Sequence, residues 1–134
     1  MGYSYLAGDR ASHATFWNGR GAIDLGTVAS SLGALRAQDS SGANGINNAG
    51  VVVGYNFAPL ARLSHATMWA NGCIYDLNSM ADLRGTGLTL VQANAINELG
   101  QIVGFGMNEN FETRAVLLTP TGSKQRSACT RPAL

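Results

Sequence analysis

One stretch of this chain is written twice. His13-Ala14-Thr15-Phe16-Trp17 returns as His65-Ala66-Thr67-Met68-Trp69, and the match extends both ways: Gly2-Tyr3 falls on Gly54-Tyr55, Asn18-Gly19 on Asn71-Gly72 after a one-residue adjustment, and Ile23-Asp24-Leu25 on Tyr75-Asp76-Leu77. A second block repeats at nearly the same spacing, Ala43-Asn44-Gly45-Ile46-Asn47-Asn48-Ala49-Gly50-Val51-Val52-Val53-Gly54 against Ala93 to Gly104. A period of about 50 residues marks a repeat architecture, in which each unit hides its apolar side only against the next. The small difference between the two spacings is absorbed between Asp76 and Ala93, a Gly- and Ser-rich connection where length change is tolerated.

Within the full repeat, short β-branched and aromatic runs at Ala43–Ile46, Val51–Tyr55, His65–Trp69 and Cys73–Leu77 read as four strands. Asn47-Asn48-Ala49-Gly50, Asn97-Glu98-Leu99-Gly100, Asn18-Gly19 and Asn71-Gly72 read as tight turns, since Asn and Gly tolerate the positive φ that hairpins demand. Successive hairpins predict an all-β fold of tandem four-stranded antiparallel meanders. The repeats divide as a partial unit over 1–42, a full unit over 43–92 and a partial unit over 93–122, followed by a flexible tail over 123–134 with no alternation. Helix is expected only in the connections, as a capped turn over Asn78–Leu83 and a second segment over Val28–Ala37.

Three, four and three strands make ten, too few for a closed propeller of four to eight four-stranded blades. The expected architecture is therefore an incomplete, propeller-like array, either a fragment of a longer protein or a subunit that pairs sheet edges with another copy. Met1 standing where Val53 and Val103 stand fits a start inside a repeat.

Charge narrows the partners. Only 13% of residues are charged and the formal net charge is +1, with Lys and Arg scattered, so no basic stripe suits a nucleic-acid backbone. No apolar run reaches the length of a membrane helix, and the start has neither a signal-peptide nor a myristoylation pattern. Cys73 and Cys129 are too few and too far apart for a zinc knuckle; the plain reading is one buried and one exposed thiol, with a disulfide the alternative.

The repeated motifs resemble the HAF family of extracellular repeats, whose units run roughly His-Ala-Phe-Leu-Trp, Asp-Leu-Gly-Thr, Ala-Ile-Asn, a Gly turn and Val-Val-Gly-Tyr. Here these motifs stand as His13–Trp17 and His65–Trp69, as Asp24-Leu25-Gly26-Thr27, and as Ala95-Ile96-Asn97 with Gly100 to Gly104. The resemblance spans Gly2 to about Leu118. Thr replaces the family Phe in both histidine copies, Asn78-Ser79 replaces Gly-Thr, and Arg114 stands for the third His. It implies a propeller-like strand pattern and a secreted or surface location, and it carries over no catalytic residues.

Chemistry is sparse. No nucleophile elbow, P-loop or dinucleotide fingerprint occurs. His13 and His65 are the tempting catalytic pair, but their equivalent repeat positions place them on neighbouring units, where hydrogen bonding at a strand start is the plainer role. Asp24 and Asp76 are expected to accept backbone N–H bonds in turns. Trp17 and Trp69 could stack on a sugar, although core positions suit them better. The Asn108–Glu112 loop has oxygen ligands but not calcium-loop spacing, and reads as a hairpin tip. The reading is thus of a non-catalytic module, with no cofactor or metal. Its loops Gly26–Gly42, Phe57–Leu63 and Asn78–Leu90 present themselves to a glycan or protein, and Trp17, Trp69, His13 and His65 are its candidate contact residues. A purely structural or self-assembling role is the alternative, and a hydrolase a remote one.

Overall fold

Short apolar runs separated by Asn/Gly turns leave little choice but hairpins, and hairpins are what form. The computed structural model describes residues 1–5, 11–27, 40–58 and 63–122. Its strands are β1 (Gly2–Tyr5), β2 (Ser12–Trp17), β3 (Ala22–Gly26), β4 (Ser40–Ile46), β5 (Val52–Ala58), β6 (Leu63–Ala70), β7 (Cys73–Asp76), β8 (Thr89–Ile96), β9 (Ile102–Met107) and β10 (Thr113–Leu118). They form three antiparallel meanders, β1-β2-β3, β4-β5-β6-β7 and β8-β9-β10. The fold is therefore an all-β, open, propeller-like array.

Turn chemistry sets the registers. At Asn71-Gly72 both residues take positive φ, giving the expected two-residue hairpin. Asn18-Gly19 behaves differently: β2 and β3 are joined by the four residues 18–21, closed by Asn18 N–H donating to Gly21 O, and only Gly19 takes the left-handed conformation. Four residues separate Trp17 from its partner Ala22 and Trp69 from its partner Ile74 alike, so the one-residue adjustment in the sequence match is a shift of the Asn-Gly pair within a connection of equal length. The turns after Asn47, Asn97 and Asn108 share one design, in which the Asn side-chain oxygen accepts the N–H four residues on, from Val51, Gln101 and Glu112 at 2.9–3.0 Å. The Asn108–Glu112 segment is a hairpin tip, with Phe111 at φ 60° where Gly50 and Gly100 stand in the other two.

The Val-Val-Gly motif also has a steric cause. A side chain on Gly54 would run into the Gly42 carbonyl, and one on Gly104 into the Gln92 carbonyl, because β4 and β8 bulge toward the second strand of their sheets.

The sheets stack in series, and strand alternation sorts side chains between two cores. Val52, Trp69 and Ile74 of the central sheet meet Ala14 of the first. Val53, Ala66 and Leu77, on its other side, meet Leu90, Ala93 and Ile102 of the third. Ala14 and Ala66 are almost wholly buried, and their small side chains let neighbouring sheets approach. Polar stitching reinforces the order: Asn44 Nδ2 donates to Ala93 O at 2.9 Å, and, at equivalent repeat positions, Asn48 N–H donates to the Glu98 carboxylate at 3.0 Å.

Two expectations change. The helical turn is α1 (Leu77–Met80) instead of Asn78–Leu83, and it is capped by Asp76, whose carboxylate reaches the Asn78 N–H. The reading of Cys73 as a free thiol fails: it is disulfide-bonded, while Cys129 lies outside the described residues. The Val28–Ala37 segment and the 123–134 tail also lie outside them. Among the described residues no helix is long and apolar enough to cross a membrane.

Candidate functional site

The strand order puts the β3–β4, β5–β6 and β7–β8 connections at one end of the stack, and the short Asn/Gly turns at the other. His13 and His65 sit near the starts of β2 and β6, at the loop-bearing end.

Each histidine meets the aspartate eleven residues on. His13 Nδ1 lies 2.9 Å from both Asp24 oxygens, and His65 Nδ1 lies 2.6 Å from Asp76 Oδ2. The register explains the meeting: Asp76 pairs with Thr67, two residues beyond His65 and so on the same face, and the imidazole reaches diagonally to it. Thr15 and Asp24 stand in the same relation. Thr67 Oγ1 donates to His65 O at 2.9 Å and Thr15 Oγ1 to His13 O at 3.0 Å, so both hydroxyls are turned back on their own strands.

From the carboxylate the network runs into the next sheet. Asp76 Oδ1 accepts from the backbone N–H and the side-chain amide of Asn78 at 2.9 and 3.0 Å. Asn78 then pairs both ways with the Leu90 backbone, its amide donating at 2.9 Å and its oxygen accepting at 2.7 Å. In the first repeat Asp24 Oδ1 accepts Gly26 N–H at 2.7 Å, and buried Ser41 Oγ donates to Gly26 O while accepting Ala14 N–H, both at 2.8 Å. Each aspartate thus clamps the strand end where the chain leaves for the following sheet, the turn-capping role expected of it.

The hydrogen bond to Asp76 raises the His65 pKa above 6.5, more than burial lowers it. Burial pushes the Asp76 carboxyl up, but the hydrogen bonds from His65 and Asn78 outweigh it and hold the group below 3.8. The third repeat has Arg114 at the histidine position, paired instead with Glu112.

The two histidines therefore occupy equivalent places in separate sheets and do not share a site. The tryptophans part company: Trp69 is 4% exposed in the first core, whereas Trp17 is 47% exposed on the uncovered side of the first sheet. Two grooves open between sheets at the short-turn end. One, of about 220 Å³, lies beside Ile23, Trp69 and Ile74; the other, of about 590 Å³, is lined by Met68, Leu77, Met80, Ile96, Ile102 and Leu117. Among the described residues no group of three or more His, Cys, Asp or Glu side chains converges to hold a metal.

Fold and site together define a class: an all-β stack of open antiparallel meanders with a His–Asp clamp in each of the first two. Comparison with protein-family models, characterised proteins and solved structures finds no match for the chain. The His–Asp pairing is the feature that residue-by-residue reading missed; its signal was the constant eleven-residue separation in both copies.

Proposed function

We propose that this chain is a non-catalytic β-repeat module of the HAF type, secreted or displayed at a cell surface, which offers the loops at one end of its stack to a glycan or protein. The observation that carries the reading is the asymmetry of the two ends: length and sequence vary in the connections at the histidine end, while minimal turns close the other. Much of Gly26–Gly42 and Phe57–Leu63 lies outside the described residues, so the Asn78–Leu90 connection is the segment to test first. Its Asp82, Arg84 and Thr86 are exposed, Arg84 clasping the Asp82 carboxylate at 2.7 Å, and Asp82 borders the larger groove. A glycan array and an affinity capture with the intact chain should give a ligand whose retention drops when 82–87 is replaced by Gly-Ser. Retention of nothing by the intact chain refutes the reading.

A hydrolase is the second reading, favoured by the His65–Asp76 pair, since a carboxylate on Nδ1 is what orients a general base. Against it, no side chain among the described residues hydrogen-bonds to Nε2 of His65, and the neighbouring Thr67 hydroxyl is committed to its own backbone. Hydrolysis of ester, peptide or glycoside probes that disappears in His65→Gln would establish it.

A further inference from the structure

Among the described residues the stack ends in two uncovered faces, and both carry side chains that are core elsewhere in the same molecule. Val53 and Val103 hold the same repeat position, yet Val53 is fully buried against the third sheet while Val103 is 46% exposed. Register places Ala95, Val103 and Leu117 in one cross-strand row, the counterpart of Gly45, Val53 and Met68. Leu117 is 61% exposed, whereas Met68 packs into the second core.

The opposite face belongs to the first sheet. Trp17 stands there as Trp69 stands in the central sheet, and its ring lies 3.5 Å from where a Gly2 side chain would begin. Trp69 enters a core containing Ala14, the residue paired with Tyr3. The matching alanine of the central sheet is Ala66, paired with Tyr55; in the third sheet it is Ala115, paired with Phe105 and exposed. The hollow that receives a tryptophan is thus built again on the last sheet, where nothing among the described residues fills it.

We infer that a second copy of this chain fills it: copies associate head to tail, Trp17 of one seating over Ala115, Val103 and Leu117 of the next and continuing the stacking already made twice within each molecule. Unlike surfaces meet in such a contact, so it propagates, closing into a ring where the rotation between copies allows it and otherwise running on as a filament. This contact uses faces, not the sheet edges expected from the sequence, and it is independent of the loop-binding reading.

Sedimentation or light scattering of the intact chain over a concentration series should show mass above the monomer. Trp17→Asp and Leu117→Asp should each abolish association. Mixed together they should form a 1:1 dimer, because each retains the face the other lacks. Ala115→Arg serves in place of Leu117→Asp, and Trp17→Ser in place of Trp17→Asp, should circular dichroism show either protein unfolded. A wild-type chain that stays monomeric at millimolar concentration overturns the inference. So does association that survives both substitutions, as edge pairing would, self-association retained by one variant alone, as a contact between like faces would give, or a mixture of the two variants that stays monomeric.

Discussion

At the scale of single residues, identical roles are filled by unlike side chains, and the mismatches are measurable. Phe111 occupies a left-handed position that its equivalents give to glycine, at a cost of about 1–2 kcal/mol for a residue with a β-carbon. Phe111→Gly should therefore raise stability by about 1 kcal/mol in urea unfolding, since the exposed ring contributes no core contact. His65 and Asp76 make stability depend on pH from both sides. The histidine, its pKa raised above 6.5, contributes fully below that value and loses its contribution as pH climbs through the folded pKa. The aspartate, held below 3.8, contributes above that value and loses its contribution as pH falls through its folded pKa. The melting temperature should peak between these limits, and in His65→Gln the decline above pH 6.5 should flatten.

At the scale of elements, the contacts between sheets are as specific as those within them. Ser41 is wholly buried between the first two sheets and satisfies both the Ala14 N–H and the Gly26 carbonyl. The irregularity between Ala14 and Thr15 in the β2–β3 ladder lies beside this bridge. Ser41→Ala strands two buried backbone groups, and the expected loss is about 1–3 kcal/mol, read as a lower urea midpoint with an unchanged slope. Strands, turns and their order were legible in the sequence, because period-two alternation and Asn/Gly pairs are local signals. Ser41 was not, because nothing local distinguishes a stitching serine from a solvated one. The pairing of Asp76 with His65 was not legible for a related reason: the two stand on different strands, and their meeting is visible only once the register is known.

At the scale of the whole molecule, position in the stack decides what a residue is worth. Trp17 and Trp69 are equivalent in sequence, yet one lies on an open face and the other between two sheets. In the monomer Trp69→Ala should cost about 3–5 kcal/mol, as truncation of a buried aromatic does. Trp17→Ala should change stability by no more than about 0.5 kcal/mol, as at a surface site. Paired urea titrations at a concentration too low for self-association compare the two directly. Nearly equal losses would mean that the first sheet is covered in solution even then.

Local patterning was enough to read the all-β class, the ten strands of the described residues, their grouping as three, four and three, and the placing of most turns, because backbone pairing follows patterns a few residues long and each pattern is repeated. Tertiary structure decided which of two equal residues is core, which aspartate holds which histidine, and which faces stay open. Those outcomes depend on whether another sheet lies alongside, and that neighbour is brought there by residues about one repeat away along the chain.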